Sequence, residues 1–97
     1  MIASFRNGGT EDIFFGVDSK SARRTCPPTI WPVARRKLAV LDATERLEYL
    51  AFPAGNDLHR LVGDRWGQHA IRINDQYRVC FRWTDAGVED VEITDYH

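Results

Sequence analysis

Within residues 58–97 the apolar pattern changes to a period of two, most cleanly over 71–73 and 77–83, a period that belongs to strands and not to helices. The clearest case is residues 76–84, where Tyr77, Val79, Phe81 and Trp83 take one side and Arg78, Cys80 and Arg82 the other. Ile71 and Ile73 alternate with Arg72 just before it. The pattern predicts strands over 58–62, 68–73, 76–84 and 88–96. Their separators, Gly63-Asp64-Arg65-Trp66-Gly67, Asn74-Asp75 and Asp85-Ala86-Gly87, each hold the Gly, Asn or Asp that tight turns need. Connectors this short join neighbouring antiparallel strands, so the expected sheet is a meander.

The earlier residues supply a cover for one face of that sheet. Pro27-Pro28-Thr29 signals a helix start, and Ile30, Val33, Ala34, Leu38 and Leu41 then form one apolar stripe. Pro32 is tolerable because it falls in the first turn. Arg35 and Arg36 project away from the stripe, and Lys37 sits beside it with its stem along apolar surface. Ile2-Ala3-Ser4-Phe5 reads as a short strand stopped by Asn7-Gly8-Gly9. Thr10 is expected to N-cap a brief helix that places Ile13 and Phe14 in the core and exits at Gly16. Residues 16–28 read as a basic loop, 45–50 as one more helical turn, and 52–57 as a loop. The fold class is therefore α+β, with an N-terminal strand and helices packed on an antiparallel sheet. A chain of 97 residues is expected to make a single domain, 1–97.

Charge is unevenly placed. The net charge is −1, yet residues 19–41 hold six basic residues and no acid, while 85–97 hold five acids and no Lys or Arg. This suits either a polyanion-binding surface or two solvated faces attracting each other. Cys26 and Cys80 have no metal-ligand spacing and are expected as free buried thiols. No apolar run approaches the roughly 20 residues of a membrane span, and the opening residues lack a signal-peptide pattern. The expected compartment is the cytoplasm.

A meander gathers particular side chains at one end. His59 opens the first predicted strand, Tyr77 and Arg78 open the third, and Asp95, Tyr96 and His97 close the fourth. First and fourth strands lie about 14 Å apart across a flat sheet, so both imidazoles meet one phosphodiester only if the sheet twists and curls or the strand order differs from a simple meander. Cleavage of RNA through its 2′-hydroxyl needs a base, an acid and a cation for the phosphorane charge. Histidine and arginine supply these without metal. On the bland reading, Arg72, Arg78 and Arg82 pair with Glu89 and Glu92 across strands, and His69, pointing with Ile71, is structural. On spacing alone the reading stops at a phosphodiester-binding edge.

Leu58-His59-Arg60-Leu61, Gly63-Asp64-Arg65, Gly67-Gln68-His69, the block 71–83 and the terminal Asp95-Tyr96-His97 together resemble the HigB toxins of the RelE-like superfamily. The start of the chain and the Arg36-Lys37-Leu38 to Leu41-Asp42-Ala43 helix resemble them too. The resemblance implies a type II toxin that cuts messenger RNA on the translating ribosome. It implies no metal or cofactor, and silencing by a HigA-like helix-turn-helix antitoxin through which alone operator DNA is reached. It places His59, Arg78, Asp95, Tyr96 and His97 in the active site. His59 and His97 are assigned to proton transfer or substrate positioning, Arg78 to phosphate charge, and Asp95 and Tyr96 to orientation. Arg23, Arg24, Arg35, Arg36, Arg60 and Arg72 are the candidate RNA and ribosome contacts. Val62 stands where relatives often carry a lysine, and Trp66 where the turn residue is commonly charged. Those departures keep a second function open: a non-catalytic or weakly active antitoxin-binding and repression module.

Overall fold

The computed structural model describes residues 1–95. Helix α1 spans Gly8–Phe15, α2 Lys20–Thr25 and α3 Trp31–Ala43, and strands follow at β1 His59–Arg60, β2 His69–Arg72, β3 Arg78–Thr84 and β4 Gly87–Thr94. The four strands pair in sequence order, each antiparallel to the next, as the turn chemistry predicts. The α+β expectation is met, and the predicted strands are trimmed at their ends. Ile2 and Phe5 bridge Val88 and Val91 in parallel, so the N-terminal segment lines the outer edge of β4. Its register is held by Ala3 N to Val88 O (2.7 Å) and Val91 N to Ser4 O (3.1 Å), and Ile2 N is tied to Asp42 Oδ1 of α3 (2.8 Å).

A bulge in β4 reconciles the strand with its own sequence. Val88 and Val91 are both buried although they stand three positions apart, which strict alternation would forbid. The β3–β4 register slips between Cys80 and Arg82, and Asp90 adopts φ 53° there. One extra residue turns both valines inward.

The helices cover one face. Leu38 and Leu41 of α3, Ile13 of α1 and Leu50 pack with Ile71, Val79, Phe81, Val91 and Ile93 in a single core. Trp31 closes it, its indole N–H donating to Cys26 O at 3.0 Å. Two local expectations are corrected. The N-cap of α1 is Asn7, whose side chain accepts from Thr10 N, three residues before the expected cap. Thr10 is instead fully buried, and its hydroxyl accepts from Ile93 N at 3.0 Å, tying α1 to β4. Gly16 caps the helix in the left-handed region, as its position predicts. Residues 16–28 are not all loop, because Ser19 caps α2 by accepting from Ala22 N (3.0 Å). There α1 and α2 touch at Gly9, where any side chain would overlap Thr25 and the Ser21 carbonyl.

Helices α1–α3 leave the opposite face of the sheet uncovered. Directly paired residues share a face, so His59, Ala70, Cys80 and Glu92 form one row, and Arg72, Arg78 and Thr94 the next row on the same side. Leu61, Ala70 and Cys80 make a small buried cluster beneath them.

Candidate functional site on the open face of the sheet

The turn between β2 and β3 places Arg78. Asn74 Oδ1 accepts from Gln76 N (2.9 Å) and Tyr77 N (2.7 Å), and Ile73 N donates to Tyr77 O (3.0 Å). The side chain of Asn74 thus does for this turn what an Asx turn does generally. Arg78 folds back over it, with Nη1 donating to the carbonyls of Asn74 and of Tyr77, the latter at 3.0 Å. Arg72 lies opposite Arg78 and is neutralised by Asp75. Among the described residues Arg78 makes no ion pair, and its Nη1 is met by two backbone carbonyls. Asp95, just past Thr94, accepts from Gln76 Nε2 at 2.9 Å.

His59 stands on the same face but not at the same end. The register sets it beside Ala70, two residues along from the Arg78 row and two strands across. With strand spacing of about 4.8 Å and a rise of about 3.4 Å per residue, their Cα atoms are about 12 Å apart. The two side chains stand diagonally to either side of the small, buried residues Ala70 and Cys80. The Nδ1 of His59 lies 2.7 Å from the Asp57 carbonyl. A carbonyl only accepts, so Nδ1 carries the hydrogen of the neutral ring and the lone pair sits at Nε2. The expected arrangement along one edge is thereby replaced by a diagonal across a face, because β1 pairs further into the sheet than the simple meander assumes. Tyr96 and His97, which the sequence reading puts in this site, lie outside the described residues.

The expected cross-strand ion pairs do not form. Arg82 stands opposite Glu89 but bonds Asp90 at 3.4 Å, and Glu92 is held by Arg65 (3.0 Å) and Arg6 (3.6 Å). Asp90 and Glu92 are thus countered by Arg6, Arg65 and Arg82 rather than by the basic run of 19–41. Of the candidate RNA contacts, Arg23 is bound to Asp18 at 2.8 Å, Arg72 to Asp75, and Arg35 donates to Ile13 O at 3.2 Å. Arg24, Arg36 and Arg60 are exposed and make no ion pair among the described residues. Lys37 bonds Asn56 Oδ1, and burial first, then the positive fields of Arg36 and Arg72, lowers its pKa.

Burial pushes the Cys80 thiol up to about 11, so the floor of the open face is uncharged at neutral pH and no nucleophile. His69 stacks on Phe81 at 6.0 Å between centroids, and burial first, then Arg60 and His59, lowers its pKa. No group of three His, Cys, Asp or Glu side chains with metal-binding geometry occurs among the described residues. Sequence reasoning passed over Asn74, Asp75 and Gln76 as site residues. Their signal is the Asn-Asp turn immediately before Arg78.

A family model described as the RelE-like toxin of type II toxin–antitoxin system HigB matches residues 3–97. Toxin HigB-1 of Vibrio cholerae serotype O1 (strain ATCC 39315 / El Tor Inaba N16961) is 33% identical over 86 residues, covering 89% of this chain and 87% of its own. No helix among the described residues is long and apolar enough to cross a membrane.

Proposed function

Because the chain belongs to the HigB-like family of RelE-like toxins of type II toxin–antitoxin systems, we propose that it is an endoribonuclease that cuts messenger RNA on the translating ribosome. Its partner in this reading is a HigA-like helix-turn-helix antitoxin, through which operator DNA is reached indirectly. It acts in the cytoplasm as a single domain. The observation that supports the reading is the joint placement, on one open face, of Arg78 pinned by its turn and a His59 whose Nδ1 is engaged by Asp57.

In the reaction the 2′-oxygen attacks the adjacent phosphorus and gives up its proton. The bond from phosphorus to the 5′-oxygen breaks, and that oxygen leaves with a proton, yielding a 2′,3′-cyclic phosphate and a 5′-hydroxyl. His59 takes the 2′ proton at Nε2, and His97 is assigned the proton for the leaving oxygen. Arg78 meets the non-bridging oxygens as charge builds on them. Asp95 and Tyr96 orient these groups. The proton transfers run through side chains, and the reading calls on no metal or cofactor. Arg24, Arg36 and Arg60 contact backbone phosphates of the ribosome or message.

The test is expression without the antitoxin. Wild type is expected to arrest growth and leave messenger RNA fragments, and Arg78→Ala is expected to lower cleavage by roughly 10²- to 10³-fold, the usual loss for a transition-state donor. Deleting His97 should relieve the arrest as well. Full toxicity of both variants would overturn the assigned site. A harmless wild type that still binds its antitoxin would favour the binding-module reading.

A further inference from the structure

The loop between β1 and β2 holds a tryptophan out in solvent on a closed frame. Trp66 is 78% exposed, and Val62 at the other end of the loop is 82% exposed. The frame itself is well tied. Leu61 N donates to Gln68 O (2.9 Å), Gln68 N to Arg65 O (3.0 Å) and Trp66 N to Gly63 O (3.0 Å). Arg65 spans from Gln68 Oε1 (3.1 Å) to Glu92 Oε1 (3.0 Å), and Gln68 is buried. Packing within the chain does not account for an indole displayed in this way.

Two adjoining clefts give it a context. One runs beside Trp66, lined by Arg60, Leu61, Gln68 and His69. The other runs beside His59 and shares the same wall, Arg60 and His69, with Leu58 and Glu48 across from it. Glu48 is occupied by Arg46 at 2.7 Å. Arg60 has no ion pair among the described residues. His69 Nδ1 is buried without a partner among the described residues, where a lone pair is less costly to bury than an unpaired N–H. The ring hydrogen therefore sits on Nε2.

We propose that the Trp66 cleft is a nucleobase subsite, in which the base next to the cleaved bond stacks on the indole while Arg60 holds its phosphate. The inference rests on the RNA-cleaving reading and adds where the neighbouring nucleotide lies. An aromatic platform beside one unneutralised cation, with no carboxylate lining that cleft, is the combination that single-stranded RNA uses. Arg60 and His69, paired with each other and with Phe81, take the opposite face from His59. A strand whose scissile phosphate sits at His59 therefore rounds the β1 edge of the sheet to reach the Trp66 cleft. His69, kept neutral, offers its Nε2–H to a base or phosphate oxygen.

The experiment is titration of the purified toxin with a 2′-O-methyl trinucleotide, which cannot be cut through its 2′-oxygen. Trp66→Ala is expected to weaken binding by roughly 5- to 150-fold, the usual range for loss of a base-stacking aromatic, and Trp66→Phe by no more than about threefold. Arg60→Gln is expected to lower the salt slope of binding by about one. His59→Ala and Arg78→Ala should keep the Trp66 contribution while losing cleavage, so the two readings fail separately. If wild type binds through Trp66 but leaves messages intact in cells, the subsite stands and the cleavage reading falls. The proposal is overturned if wild type does not bind the trinucleotide, or if Trp66→Ala binds it as wild type does. It is equally overturned if Trp66→Ala keeps RNA binding and loses the antitoxin, which would make the loop a protein contact.

Discussion

Replacing Asn74 by Ala separates the turn from the residue it positions. Asn74 Oδ1 accepts from two backbone amides, Gln76 N at 2.9 Å and Tyr77 N at 2.7 Å, and its own carbonyl accepts from Arg78 Nη1. A hydrogen bond of this kind contributes about 0.5–1.5 kcal/mol net, with the exposed Gln76 amide at the low end because water replaces the lost partner. The substitution should therefore cost about 1–2 kcal/mol, which lowers Tm by about 5–15 °C in a domain of this size. Activity should fall further than stability. Once the turn relaxes, the carbonyls of Asn74 and Tyr77 no longer hold the guanidinium in one place, and a loss of positioning of that kind costs on the order of 10²-fold. Asn74→Asp keeps the acceptor, so it should melt close to wild type, yet its carboxylate beside Arg78 should keep cleavage low. The assays are urea unfolding of the purified variants and the yield of messenger RNA fragments at a temperature where all are folded. If Asn74→Ala unfolds at the wild-type urea concentration and cuts at the wild-type rate, the turn is not what places Arg78.

Three further outcomes follow from the fold. Thr10→Val leaves the buried Ile93 N–H without its acceptor and should cost about 1–3 kcal/mol in urea unfolding, whereas Thr10→Ser should retain most of that bond. Gly67→Ala should destabilise by about 1–3 kcal/mol, since the residue sits at φ 91° and a methyl group would lie 2.7 Å from Arg82 Nη1; a wild-type melting curve would contradict this. Burial, then Arg60 and His59, depresses the pKa of His69 in the folded chain, so the unfolded chain takes up the proton first as pH falls below about 6.5. Stability from this group is complete above that pH and is lost as pH falls through the folded value; His69→Gln should flatten the decline, read from urea midpoints between pH 7 and pH 5.

The sheet was legible because its two signals act locally. Period-two burial marks the strands, and the Asn74-Asp75 separator is too short to join anything but antiparallel neighbours. Helix α2 was not legible, since six residues carry too little apolar period to register and its cap, Ser19, is held from outside by Asp12 at 2.6 Å. Position along a strand was legible only where a turn fixes it. The 73–77 turn determines that Arg78 faces Arg72, but β1 is aligned by the Leu61–Gln68 bond across a longer loop, and this sets His59 two rows inward. That displacement gives Ala70 and Cys80 their place in the proposed site. They lie between His59 and Arg78 in the rows of the open face, they are small, and the Cys80 thiol, at about 11, stays neutral. In the proposed reading, a phosphodiester bridging His59 and Arg78 therefore crosses two small residues that carry no charge of their own. A site along the sheet edge would have needed the strands to curl to close its gap. In the proposed reading, a diagonal across the face closes it with the reach of two side chains over Ala70 and the neutral Cys80.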